Sequence, residues 1–345
     1  MDEQCREARI VKPIPAIWRI DVEPDESDIR PERTPPPWLG FTAMVSLVEA
    51  LRPRLADCAG VDAHPTWFLR LDPNIEHCFG QPDHVVARYR DLLDRLLAHG
   101  DPLGIHVHCH RWDPARQVTY SDHADPEWAS YCVSMAAKTF ERCFGEPAKR
   151  SSQGGYFFDE TVIDRSIAEG IEVDVTPEPG LAPHETDRAF GAYATAPSTD
   201  FRNFPRRPYY PSRAAVSAPG VSSSDRRPIL IVPLTAYDYE TALTPWPRWM
   251  VKRALRRPRH HVPLNPWKEW SSPRVFWDLV ARAAEDSPAR YVAFAIRTDA
   301  PNSEAFRRVR ALLEYLPRHP IVKKLRFVDP LAPEVRALAQ TRSAF

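Results

Sequence analysis

The sequence predicts an α/β protein of repeating βα units around a mainly parallel sheet, and three observations carry that prediction. Short apolar runs alternate with amphipathic stretches of helical period. Polar, chemistry-bearing side chains stand at the ends of the apolar runs rather than inside them. No internal repeat or sustained heptad competes with the pattern.

Eight runs read as strands: 16–22, 66–71, 103–109, 149–152, 171–176, 229–234, 291–297 and 325–328, most rich in β-branched or aromatic residues. Helices fall between them at 41–51, 83–98, 127–143, 160–169, 275–284 and 304–315. The clearest is 83–98, where Val85, Val86, Tyr89, Leu92, Leu93, Leu96 and Leu97 form one apolar stripe behind the candidate cap Asp83. Seven or eight strands suit a barrel better than a doubly wound sheet, although periodicity alone does not separate the two. Two long stretches break the rhythm. Residues 177–227 are rich in Pro, Ser and Arg, and 237–273 carry Trp246, Trp249, Trp267, Trp270 and the basic run Lys252–His261. The expectation is a single domain over 1–345 with two irregular insertions.

Composition narrows the function. The 46 basic and 46 acidic side chains cancel, so no global field draws the chain to nucleic acid. No reader motif for nucleic acid appears, and no GxGxxG follows the first strand to hold a dinucleotide. A neutral polar substrate fits better. The charged N-terminus lacks the apolar core of a signal peptide, and no window is long enough for a membrane span, so a cytoplasmic protein is expected. The six cysteines form no CxxC pair and read as free thiols. The run Lys252–His261 is a candidate point of peripheral contact with a lipid surface or a nucleotide-sugar diphosphate, set against the default of a solvated face.

The most informative stretch is Gly104–Trp112, GIHVHCHRW, in which an apolar strand runs into three histidines at alternate positions. On an extended strand His106, His108 and His110 share one face. If the chain turns after His106, then His106 and His110 converge instead. Either geometry offers two imidazoles to one cation, and zinc favours such donors. The first strand also ends in acids, Asp21 and Glu23, which share a face if the strand continues. A carboxylate beside two imidazoles completes a ligand set with open positions, and a second carboxylate can act as general base.

These motifs, in this order, resemble the polysaccharide-deacetylase (NodB-like) family over about residues 18–180. Asp21–Glu23 resembles its first acidic motif, Pro65–Leu69 its second strand, His106–His110 its His-x-x-x-His metal motif, Lys149–Tyr156 with Asp159 and Glu160 its arginine motif, and Val173–Pro177 the strand after it. The resemblance implies a distorted (β/α) barrel of seven or so strands. It implies a bound divalent metal ion, probed first as zinc, and removal of an N-acetyl group from polymeric or lipid-linked amino sugars. Carried over by position, Asp21 is the base, and Glu23, His106 and His110 are metal ligands, with Asp21 the alternative to Glu23. Arg150 orients the base. Where the family places an acid histidine on a late strand, this sequence has Arg297, which cannot give up a proton near neutral pH but can hold an oxyanion or carboxylate. His108 is then the candidate acid.

Trp112, Tyr156 and Arg297 are the expected substrate contacts. Trp112 and Tyr156 follow two of the motifs and can stack on sugar rings, although buried core packing is the commoner fate of such rings. The segment Arg202–Ser212 reads as a lid or as a proline-stiffened structural loop. Two rivals to deacetylation stand beside it: a silent, glycan-binding relative, and hydrolysis of a non-sugar C–N bond.

Overall fold

The expected strands lie side by side in one parallel sheet. A computed structural model describes residues 13–26, 29–31, 33–183, 194–238, 261–264, 266, 272–286 and 290–340. In chain order the elements begin with β1 (Ile14–Val22), α1 (Leu39–Ala59), β2 (Thr66–Arg70), α2 (Pro73–Phe79), α3 (His84–Arg88), α4 (Arg90–Ala98) and β3 (Leu103–Val107). A hairpin of β4 (His110–Asp113) and β5 (Val118–Ser121) precedes α5 (Pro126–Phe144), β6 (Arg150–Gln153), α6 (Glu160–Ala168), β7 (Val173–Asp174) and β8 (Leu230–Ile231). The chain ends with β9 (Ala236–Asp238), β10 (His261–Pro263), α7 (Pro273–Asp286), β11 (Val292–Arg297), α8 (Glu304–Tyr315), β12 (Leu325–Phe327) and α9 (Pro333–Gln340).

The main sheet runs β11-β1-β2-β3-β6-β7-β8, with β12 also beside β1, and every pair is parallel. Its two ends meet just beyond β8. There Thr235 N–H donates to the Ala293 carbonyl at 2.8 Å, Ala293 N–H donates to Thr235 Oγ1 at 2.8 Å, and Tyr291 O–H donates to the Pro233 carbonyl at 2.7 Å. Closure through a few bonds rather than a full ladder makes this a distorted (β/α) half-barrel.

Burial on both faces explains why the strands read as continuous apolar runs. One apolar layer, including Trp18, Trp67, Ile105 and Phe294, packs under the helices; a second, including Ile17, Phe68, Val173, Leu230 and Ala293, belongs to a separate cluster on the alternate strand positions. Gly104 makes the second layer possible, because a Cβ there would lie 2.8 Å from the Phe68 ring and 2.7 Å from the Arg150 carbonyl. Asp125 caps α5 by accepting from the N–H groups of Glu127 and Trp128, and Gly145 ends it in the left-handed conformation.

The structure adjusts several expectations. The single helix expected over 83–98 is two, α3 and α4, broken at Tyr89 (φ −125°, ψ 31°), whose ring packs edge-on against Phe41 at 5.7 Å. Helices α2 and α9 and the β4–β5 hairpin were not expected. Arg202–Ser212 is not a lid: Tyr209 is 2 % exposed, pairs through its backbone with Ile231 in both directions, and bonds the Val216 carbonyl through its hydroxyl. The four tryptophans of the second insertion and residues 252–260 of its basic run lie outside the described residues. Among the described residues, no helix is long and apolar enough to cross a membrane.

Candidate metal centre and active site

All the polar side chains of interest project from the C-terminal ends of the strands, the usual functional end of a βα barrel. Asp21 and Glu23 leave β1, His106 and His108 leave β3, Gln153–Tyr156 follow β6, Thr176 and Glu178 follow β7, and Arg297 and Asp299 end β11. Together they line a cavity of about 270 Å³.

Glu23, His106 and His108 converge, with one ligand atom from each within 4.8 Å of the others. His106 Nε2 lies 3.4 Å from Glu23 Oε1, His108 Nε2 lies 3.6 Å from Glu23 Oε2, and the two Nε2 atoms are 2.9 Å apart. All three residues are buried. Burial alone would push the Glu23 carboxyl up, but His108 and His106 beside it hold it well below the usual carboxylate range. Burial, then Arg70, then His110 hold the His108 imidazole well below its usual value.

The hydrogen bonds around these rings have a fixed direction. Arg70 can only donate, so His110 Nδ1, 3.1 Å from Arg70 Nη2, accepts. The His110 proton is then on Nε2, and that nitrogen faces His108 Nδ1 at 3.3 Å. At the other end Ser152 Oγ donates to Asp21 Oδ1 at 3.0 Å and so accepts from His106 Nδ1 at 2.7 Å. His106 therefore turns a bare Nε2 toward Glu23 and His108.

Asp21 is clamped. Arg19, on the same face of β1 two residues earlier, donates Nε to Oδ1 at 2.7 Å and Nη2 to Oδ2 at 2.6 Å, while its Nη1 donates to the Val175 carbonyl at 3.0 Å. Arg70 holds the rest of the floor: Nη1 meets Glu23 Oε2 at 3.3 Å, Nε donates to Asp72 Oδ2 at 2.9 Å, and Nη2 donates to Asn74 Oδ1 at 3.0 Å. Asp72 Oδ2 also accepts the His108 N–H at 3.2 Å, and its Oδ1 caps α2. Gly154 lies against His108 so closely that a Cβ there would fall 2.1 Å from Nε2.

The structure thus sorts the residues singled out from the sequence. Asp21, Glu23, His106, His108, Tyr156 and Arg297 meet at one cavity. His110 does not join the ligand cluster; it stands behind His108, held by Arg70. Arg150 does not reach Asp21. It begins β6, near the opposite end of the barrel, and pairs with Asp329 through Nε at 2.8 Å and through Nη2. Trp112, on the hairpin, lines a separate groove with His110, Trp128 and Tyr131. Arg19, Arg70, Ser152, Glu178 and Asp299 were missed. The signal for Arg19 was present, since alternation puts residues 19 and 21 on one face.

The comparisons bear on the fold. No family model matches the chain, and no curated protein matches it. Among solved structures, a candidate glycoside hydrolase/deacetylase from Parabacteroides distasonis superposes with a TM-score of 0.50 at 14% identity, covering 92% of this chain and 70% of that one. This chain has the polysaccharide-deacetylase fold. At so low an identity the likeness carries the fold alone. A candidate polysaccharide deacetylase from Mycobacterium smegmatis aligns over 95% of this chain and 91% of its own at 12% identity, with a TM-score of 0.46.

The deacetylase-fold cavity fits a divalent ion. Two imidazoles and a carboxylate, with Ser152 accepting from the far nitrogen of His106 and Asp72 from the backbone N–H of His108, are the donor chemistry of such sites. The charges agree: four carboxylates line the cavity (Asp21, Glu23, Glu178, Asp299) against two guanidiniums (Arg19, Arg297), a surplus that one divalent cation cancels.

Proposed function

We propose that this protein is a metal-dependent hydrolase that removes an N-acetyl group from an amino sugar, polymeric or lipid-linked, during glycan assembly. The observation that carries the reading is the convergence of Glu23, His106 and His108 beside a clamped carboxylate, Asp21, in one cavity at the strand ends. Glu23, His106 and His108 would hold the ion, for which the donor set favours zinc; bound there, it supplies Lewis-acid activation of the acyl carbonyl and of water. Asp21 is the general base. Arg19 occupies both its oxygens from one side, so the remaining lone pairs point in a set direction, and Ser152 joins that carboxylate to the ring of His106. The left-handed backbone of Gly155 (φ 65°) and Tyr156 (φ 56°) turns the loop after β6 into the cavity wall, and at Tyr156 that conformation is strained, as accumulates at functional sites.

Metal content of the purified protein beside His106→Ala, His108→Ala and His110→Ala, together with acetate release from a panel of N-acetylated amino sugars, tests the proposal. Expected are loss of the ion in the first two variants, its retention in the third, and acetate release that needs added zinc. Equal metal content in wild type, His106→Ala and His108→Ala would refute the site. Arg297 favours a second reading, a silent glycan-binding relative, because it stands at a strand end where a proton donor is wanted and cannot serve as one. Sugar binding without acetate release from the zinc-loaded protein would select it.

A further inference from the structure

We infer that Arg297 and Asp299 form a hydroxyl-reading pair, which makes the site selective for a polyhydroxylated ring and sets which hydroxyls that ring must carry. The inference rests on the sugar-amide reading of the same cavity. It starts from two atoms. Both N–H contacts from Arg297, through Nε at 2.9 Å and through Nη2, fall on Asp299 Oδ1. Among the described residues, Asp299 Oδ2 has no hydrogen-bond partner, and neither does Arg297 Nη1. Both side chains line the cavity, and Asp299 is 8 % exposed.

An acceptor and a donor left over side by side at a cavity wall are open to a ligand that can meet both at once. The backbone holds them in place. Thr298, between the two residues, donates its N–H to the Asp21 carbonyl at 3.0 Å, and its hydroxyl bonds both the backbone N–H of Glu23 at 2.8 Å and the Glu23 carbonyl at 3.0 Å. The Asp299 carbonyl leaves no room beside Gly40, where a Cβ would lie 2.3 Å from it. The pair is therefore built into the same frame as the candidate metal ligand Glu23.

Charge selects the ligand class. Arg297 and Asp299 neutralise each other, so an anionic group gains little from the guanidinium and meets the carboxylate. A hydroxyl donates and accepts at once, so neighbouring ring hydroxyls can give a proton to Oδ2 and take one from Nη1. Tyr156, on the same cavity, adds a ring face of the kind sugars stack upon.

The test is direct binding to the full chain, with and without zinc, using the methyl glycosides of N-acetylglucosamine and N-acetylgalactosamine and their 3-deoxy and 4-deoxy analogues. Wild type should bind at least one parent glycoside about 10- to 100-fold more tightly than one deoxy analogue, the value of a hydrogen bond to a charged group. Asp299→Asn keeps an oxygen for Arg297 but turns the Oδ2 acceptor into a donor. It should bring that ratio to within about 2-fold while metal content stays unchanged, and Arg297→Met should erode it independently. The same ratio in Asp299→Asn as in wild type, equal binding of parents and analogues, or no binding of any parent glycoside overturns the inference. Hydroxyl discrimination without acetate release would leave this inference standing and remove the hydrolase.

Discussion

Gly154→Ala is the sharpest perturbation the site offers, because it adds one methyl group and removes nothing. An ideal Cβ at position 154 lies 2.1 Å from His108 Nε2 and 2.3 Å from both Cδ2 and Cε1. Carbon needs about 3.5 Å from such atoms, so the ring or the loop must shift by more than about 1 Å. Two neighbouring rings flank the His108 ring. Its centroid is 4.8 Å from that of His106 and 4.5 Å from that of His110, and the residue is buried. The loop is held as well, since Gly154 N–H donates to the Val107 carbonyl at 2.7 Å. Ion coordination tolerates only about 0.2 Å of error in ligand position. Gly154→Ala should therefore weaken zinc binding by about 10- to 100-fold, the usual effect of disturbing a ligand's support. Overpacking should also cost about 1–3 kcal/mol of stability. Calorimetric zinc titration and thermal unfolding of the metal-free protein measure the two separately. Wild-type zinc affinity in Gly154→Ala would refute the assignment of His108 as a ligand, and an unchanged melting temperature would refute the packing around it.

Arg19→Lys keeps the charge but loses the two-pronged hold on Asp21; it should lower kcat by about tenfold or more, within the 10²–10⁴ that a general base contributes, and change KM little. Arg150→Met breaks the pair with Asp329 far from the cavity, so it should cost about 1 kcal/mol in denaturant unfolding and leave zinc affinity unchanged. Burial pushes the Asp174 carboxyl up, and the bonds from Thr176, Ser151 and Gln153 only partly oppose this. With the folded value above the unfolded one, its contribution to stability is full in acid and is lost as pH rises through the folded value. Asp174→Asn should then gain stability relative to wild type as unfolding is followed from pH 4 to pH 8, and a constant or falling difference would contradict this.

Much of the architecture was legible because strands and helices advertise themselves through local periodicity. Runs such as 291–297 and 304–315 became β11 and α8 with almost the expected bounds. The three histidines could be placed on one face from alternation alone, and so could Asp21 and Glu23. The break at Tyr89 could not, because it answers to Phe41 on another helix. Nor could the place of His110, which Arg70, from the neighbouring strand, holds behind His108.

The two arginines divide what each level determines. Alternation along β1 put Arg19 on the face of Asp21, a consequence of the two-residue repeat that the sequence carries by itself. A match of motif order alone favoured Arg150, yet Arg150 opens β6, and each residue of a strand advances about 3.3 Å, so its guanidinium starts about 7 Å below the Ser152 that joins the site. Only the closing of the barrel showed that Asp329 waits there and that the strand ends carrying Glu23, His106 and His108 meet. Which face a side chain takes is settled within a few residues; how far apart two faces lie depends on the register and curvature of the whole sheet.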